Sequence, residues 1–191
     1  MRKLASSLSV PVFLAAVAFA VRAQETAAPT SGIRAELISE LNGVEKQLVD
    51  LAQAVPQEKY GWRPGQGVRS VSEVYVHVAG GNYMLPTFTG VKRPAGTERG
   101  MEKTVTEKAK VIETLKASFD HIRKAVLQTA DADLDKKVDF FGRETTVRWL
   151  FVRAVNHAHE HLGQSIAYAR VNGVVPPWSA AQERAPAKKP S

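Results

Sequence analysis

The sequence predicts an all-α protein, a four-helix bundle with a short extended segment between its third and fourth helices. Three observations point there. Apolar residues recur every three or four positions in four separate stretches, the period of an amphipathic helix. Turn and stop signals divide these stretches, and alternating strand patterns are scarce. The chain has 191 residues, 44% of them hydrophobic, which suits one ordinary core and is too short for two comfortable domains.

Residues 1–23 read as a secretory signal peptide and are set aside from the fold. Arg2 and Lys3 form a basic start, Val10 to Val21 is an apolar run of 12 residues, and Val21-Arg22-Ala23 supplies a cleavage site before Gln24. The run falls short of the roughly 20 apolar residues that span a bilayer, and Pro11 interrupts it. The expectation is an exported protein, periplasmic or extracellular, with no stable membrane anchor after cleavage. Residues 24–31 are rich in Ala, Thr and Pro and read as a linker. The bundle is expected over residues 32–178 and a disordered tail over 179–191.

Ile33, Leu37, Leu41, Val44, Leu48, Leu51 and Val55 mark the first helix, which Pro56 ends. A loop dense in Gly and Pro follows, carrying Tyr60 and Trp62. Ser70-Val71-Ser72-Glu73 is a capping box for the second helix, which continues through Val74, Val78 and Leu85 to Pro86. Gly80 and Gly81 each weaken that helix by about 1 kcal/mol relative to Ala, which suggests close approach of a neighbour. Residues 87–103 form a polar, basic connection. A second capping box, Thr104-Val105-Thr106-Glu107, is expected to open the third helix, whose apolar face runs Val111, Leu115, Phe119, Ile122, Val126. Residues 131–145 suggest a short extended segment or hairpin around Gly142. The fourth helix runs from about Thr145 to Asn172 and stops at Gly173.

With no cysteine, Cys-based zinc fingers, iron–sulfur clusters and thiol nucleophiles are excluded. Cleavage removes Arg2, Lys3 and Arg22, taking the formal net charge from +7 to +4. Part of that remainder sits in the tail at Arg184, Lys188 and Lys189, and no basic stripe is interleaved with aromatics, so no nucleic-acid partner is expected.

The remaining chemistry runs through the five histidines. His157 and His161 are about 40° apart on one helical face, one turn from each other, while His159 is displaced to the far side. An i, i+4 pair of imidazoles suits one metal ion. On the second helix, Val74, His77, Val78 and Gly81 share a face, so His77 also points inward. Bundle sites are built from facing helices. His77, His157 and His161 would supply three nitrogens and leave a position open, the composition of a catalytic site. The alternative is that each is a core histidine with ordinary hydrogen bonds. A metalloprotease HExxH is absent, because Ala158 follows His157 and Gly163 stands four after His159. His121 reads as a surface residue of the third helix.

These residues carry a resemblance. Tyr60-Gly61-Trp62-Arg63-Pro64, then Ser70-Val71-Ser72-Glu73 with His77 and Asn82, resembles the front half of a DinB-like domain. Asn156-His157 through His161-Leu162-Gly163-Gln164, then Tyr168 to Pro177, is similar to its back half. The match spans about residues 33–178. The resemblance implies a four-helix bundle of up-down-down-up order, often a homodimer. It also implies one divalent ion, commonly nickel or zinc, on three histidines that map to His77, His157 and His161. Some members of the superfamily are transferases or isomerases that use a low-molecular-weight thiol. Family members often have two adjacent histidines in the last motif; the first of that pair is Glu160 here, expected to lie outward. Export would place the chain away from cytosolic thiols.

Two functions are therefore weighed: a metal-dependent transferase or hydrolase of a small molecule, and a non-enzymatic metal-binding or interaction module. Gln164, Tyr168 and Trp62 are candidate pocket residues, and Phe140 or Phe141 a candidate apolar wall. No Glu, Asp or Lys stands out as a general base.

Overall fold

The computed structural model describes residue 29 and residues 31–184. The predicted signal peptide and the end of the predicted tail lie outside them. In chain order the described elements are α1 (Gly32–Ala54), α2 (Val71–Met84), α3 (Met101–Thr104), α4 (Lys108–Gln128), β1 (Lys137–Phe140), β2 (Arg143–Thr146), α5 (Val147–Val171) and α6 (Pro177–Arg184). Short 3-10 turns occupy Gln57–Lys59, Leu85–Thr89 and Asp131–Asp133. The four long helices are those expected from the apolar period. No helix among the described residues is long and apolar enough to cross a membrane.

Both α1 and α2 pack against α4 and α5, so the pair α1/α2 occupies opposite corners of the bundle. Leu41, Leu48 and Leu51 of α1, Val78 of α2, Leu115, Phe119 and Ile122 of α4, and Leu150 and Phe151 of α5 fill the interior, each no more than 1% exposed. Their burial is the main driving force for the fold. Ile33 and Ile38 lie partly buried at the edge of this core.

The N-terminus of α2 shows how the preceding loop fixes the helix. Four amide groups at a helix start have no partner within the helix. Here Val71 N donates to Trp62 O at 3.0 Å and Ser72 N to Tyr60 O at 2.9 Å. Glu73 N donates to Ser70 Oγ at 3.3 Å, and Ser70 N donates to Glu73 Oε2 at 2.8 Å, closing the expected capping box. Tyr60 is itself anchored, buried to 1% exposure with its hydroxyl donating to Ala52 O at 2.7 Å. The loop that looked irregular in sequence is thus a rigid cap on the helix that carries His77.

The second expected capping box does not form. Thr104 closes α3, and α4 begins instead at Lys108 with Glu107 as its cap residue. The Lys108 amide donates to Gln57 Oε1 at 2.6 Å, a cap delivered from the link between α1 and α2. A long-range side chain has replaced the local motif.

The expected extended segment is a hairpin, with Lys137 opposite Thr146 and Phe140 opposite Arg143. The two-residue turn at Phe141-Gly142 has φ of 56° and 83°, the left-handed pair that matches strand twist. α5 is capped by Thr146, whose hydroxyl accepts from Trp149 N at 3.2 Å. It ends in a Schellman motif: Gly173 N donates to Arg170 O at 3.0 Å and Val174 N to Ala169 O at 2.8 Å, with Gly173 at φ 77°. Beyond it, α6 covers the first part of what the sequence predicts as a disordered tail. Trp178 packs on the core and α6 touches α1, so tertiary contact holds a segment whose composition alone gave no periodic signal.

Candidate metal centre

α2 and α5 pack side by side in the bundle and bring His77, His157 and His161 together. One ring nitrogen from each lies within 4.8 Å of the others. The three ring centroids are 4.7 to 4.9 Å apart. His77 Nε2 and His157 Nε2 are 3.1 Å apart. Two nitrogens at Zn–N distances of about 2.0–2.1 Å in a tetrahedral shell are about 3.3 Å apart, so the spacing already suits a shared ion.

The outer nitrogens explain which lone pairs are free. Glu102 Oε1 accepts from His77 Nδ1 at 2.8 Å. Its other oxygen accepts from Arg69 Nε, also at 2.8 Å. Burial alone would raise the Glu102 pKa, but Arg69 and His77 bring it below the usual carboxylate value, so it is an ionised acceptor. His77 Nδ1 must then carry the proton, leaving Nε2 as the ligating atom. His161 Nδ1 faces Gln164 Oε1 at 2.8 Å, and Gln164 Nε2 donates to the Tyr168 hydroxyl at 2.9 Å. Tyr168 in turn meets the Trp62 ring edge-on at 5.3 Å. Carboxylate and amide partners of this kind orient metal-binding imidazoles and fix their tautomers.

His161 is 8% exposed, and His157 Nδ1 is buried without a hydrogen-bond partner. Burial, with His161 and His77 alongside, pushes the His157 pKa down to about 3. Burial also lowers that of His161, against the opposing effect of Gln164. Both rings are therefore neutral near pH 7, the form that ligates metals.

A cavity of about 320 Å³ opens beside the three rings, lined also by Gly81, Met84, Phe140 and Glu160. The candidate pocket residues take different places from those expected. Gln164 and Tyr168 stand behind His161 as supports, and Trp62 braces Tyr168; none of the three lines this cavity. Phe140 does line it, backed by Phe88 at 5.0 Å, Phe141 at 4.8 Å and Trp149 at 5.3 Å. Glu160 is exposed, as expected, yet sits on the cavity wall. His159 points away and lies 3.6 Å from Glu40 on α1. His121 is not a surface residue: it is half-buried against Tyr83, with ring centroids 5.5 Å apart, and burial, with Lys124 and Arg93 nearby, lowers its pKa.

Glu102 escaped the sequence reading. It lies in α3, within a connection that has no apolar period, and only the docking of α3 on α2 gives it a role. The close approach suggested by the paired glycines is real at Gly81 alone. A Cβ there would fall 2.6 Å from His157 Cε1 and 2.8 Å from Nδ1, whereas one at Gly80 meets nothing within 4 Å. Gly81→Ala is expected to displace the His157 ring and weaken metal affinity by about 10-fold or more. Helical circular dichroism should hold, because Ala is the better helix former. Gly80→Ala should alter neither reading, and a competition titration with a chromophoric chelator measures the difference.

A helical bundle in which two neighbouring helices converge three imidazoles beside a cavity is, by fold and chemistry, a metal-competent histidine protein. The chain belongs to the DinB superfamily, whose profile matches residues 40–165. It is 23% identical to the uncharacterized protein YjoA of Bacillus subtilis over 128 residues, 65% of this chain and 80% of YjoA. A DinB-like protein from Bacillus cereus has a similar structure, with a TM-score of 0.66 at 19% identity over 74% of this chain and 93% of that one. The YjoA structure gives a TM-score of 0.58 at 21% identity, covering 72% of this chain and 92% of YjoA. At these identities the likeness speaks to the fold.

Proposed function

We propose that this is an exported DinB-superfamily protein that binds one divalent ion, nickel or zinc, through His77, His157 and His161. It uses that centre as a metal-dependent transferase or hydrolase of a small molecule. The single observation that carries the reading is the convergence of three ring nitrogens within 4.8 Å beside a cavity. The donor set fits the ion: Glu102 and Gln164 hold the outer nitrogens of His77 and His161, so their inner lone pairs are free for ligation. An ion there would act as a Lewis acid or lower the pKa of a bound water or thiol.

A purely structural metal would favour a fourth protein ligand. The described residues group three candidate ligands, and the neighbouring cavity supports an open position for substrate. Phe140, Met84 and the aromatic rings behind Phe140 would offer the substrate an apolar wall and limit water. The export reading rests on the basic and apolar pattern of residues 1–23. The up-down-down-up order is supported by the opposite placement of α1 and α2 and the long connection over residues 85–107, which can return the chain along the bundle. The homodimer remains part of the proposal from family resemblance.

Elemental analysis of protein purified without a metal-chelating tag should find about one equivalent of transition metal per chain. Chelator treatment should lower the melting temperature, because an ion bound to the native state stabilises it. A metal-free preparation whose melting is indifferent both to chelator and to added zinc or nickel would overturn the reading. An assay of thiol transfer and ester hydrolysis on the metal-loaded protein then separates transferase or hydrolase from non-enzymatic module.

A further inference from the structure

We propose that a second, larger cavity next to the histidines is an oxyanion subsite, and that the substrate is a small organic molecule bearing a carboxylate or phosphate. This rests on the metal-centre reading and names the ligand class for it. The cavity measures about 530 Å³ and shares His77, Gly81 and His157 with the metal centre. Arg69, Arg93, Arg99 and Lys103 line it, against the carboxylates of Glu98 and Glu102.

The partners of these groups decide what the cavity lacks. Arg69 is bound to Glu102, and Lys103 donates to Glu73 at 2.8 Å. Glu98 accepts from the Gly96 amide at 3.0 Å, within its own loop. Among the described residues, neither Arg93 nor Arg99 forms an ion pair, and Glu98 acts on Arg93 only through space. Arg93 is half-buried, and its one hydrogen bond among the described residues is from Nε to Thr97 Oγ1 at 3.3 Å.

Two like charges, one of them partly withdrawn from water, face a common space. Burial, outweighing the pull of Glu98 and joined by the repulsion of Arg99, lowers the Arg93 pKa below its usual value. A compact anion between them would relieve that cost. Guanidinium forks match the geometry of carboxylate and phosphate oxygens, and the same charges would draw an anionic molecule toward the metal centre. The apolar side of the substrate would then lie toward Met84, which lines both cavities.

Calorimetric titration of inorganic phosphate and of succinate into chelator-treated protein tests this without the ion. Saturable binding of either probe is expected, and the one preferred identifies the oxyanion. The variant Arg93→Gln/Arg99→Gln should weaken it at least about tenfold, the loss of charge-assisted hydrogen bonds. Lys116→Gln/Arg170→Gln, which removes the same charge from exposed positions outside the cavity, should leave it within about twofold. Absence of saturable binding to the wild-type chain, or equal weakening in the two variants, overturns the subsite. Metal content, unchanged in Arg93→Gln/Arg99→Gln, reports separately on the histidine centre. A folded protein with no metal affinity would defeat that reading while leaving the anion measurement intact.

Discussion

Replacing His157 with alanine is expected to lower metal affinity by more than about 100-fold while leaving the metal-free protein almost as stable as before. Perturbing an outer-sphere partner of a metal site already costs 10- to 100-fold, so deleting a ligand costs more. The second half of the expectation comes from the burial of the ring. His157 Nδ1 is buried without a hydrogen-bond partner among the described residues, and its Nε2 faces another imidazole nitrogen at 3.1 Å, an arrangement that an ion would relieve. An unsatisfied buried polar group is itself destabilising by about 1–3 kcal/mol, which offsets part of the packing lost on truncation. In the metal-loaded wild type at an ion concentration of about 100 times Kd, binding adds about 2.7 kcal/mol. For a chain of this size that corresponds to roughly 5–10 °C in melting temperature. Differential scanning calorimetry with and without chelator should therefore show a large shift for wild type and none for His157→Ala. A shift of equal size in both would place the ion elsewhere.

The largest loss of fold stability outside the apolar core is expected from Glu73→Ala, about 2–3 kcal/mol. Glu73 is 5% exposed and links three segments. Its carboxylate accepts from the Ser70 amide at 2.8 Å, from Arg63 in the preceding loop at 3.2 Å and from Lys103 next to Glu102 at 2.8 Å. Hydrogen bonds to a charged group are worth about 1.5–3 kcal/mol, and a lost helix cap about 1. Burial alone would raise the Glu73 pKa, but Lys103, the Ser70 amide and Arg63 together hold it down to about 2, from an ordinary 4.5. The unfolded chain thus binds the proton more readily, and stability rises with pH between those two values. The contribution is fully present above about pH 4.5 and is lost as pH falls toward 2. Urea denaturation across that range should show a slope in wild type that flattens in Glu73→Ala. Glu73→Gln should show the same flattened slope, since an amide does not titrate, but lie between the two in stability above about pH 4.5, because the amide still closes the capping box while losing the ion pairs. Equal slopes in all three would remove Glu73 from the account.

The effect should reach the metal centre. Lys103 and Glu102 are adjacent in α3, so freeing Lys103 loosens the helix that holds the His77 tautomer. Glu73→Ala should consequently show weaker metal binding even where it is fully folded.

Period and punctuation in the sequence determined the four long helices, since Pro56, the Ser70–Glu73 box and Gly173 act within a few residues of where they stand. Helical spacing likewise set His157 and His161 on one face and sent His159 to the other, because that geometry follows from rise and turn alone. Only the tertiary structure decided that Glu102 fixes His77, that Gln57 caps α4 in place of the Thr104 motif, and that Gln164, Tyr168 and Trp62 support the site from behind. It also decided that Gly81 but not Gly80 is constrained, and that Pro177–Arg184 is helical. The reason is common to all of these: each depends on which surface another segment presents at a distance of tens of residues along the chain. Local period carries no record of that approach, which is set by how the apolar faces of α1, α2, α4 and α5 interlock.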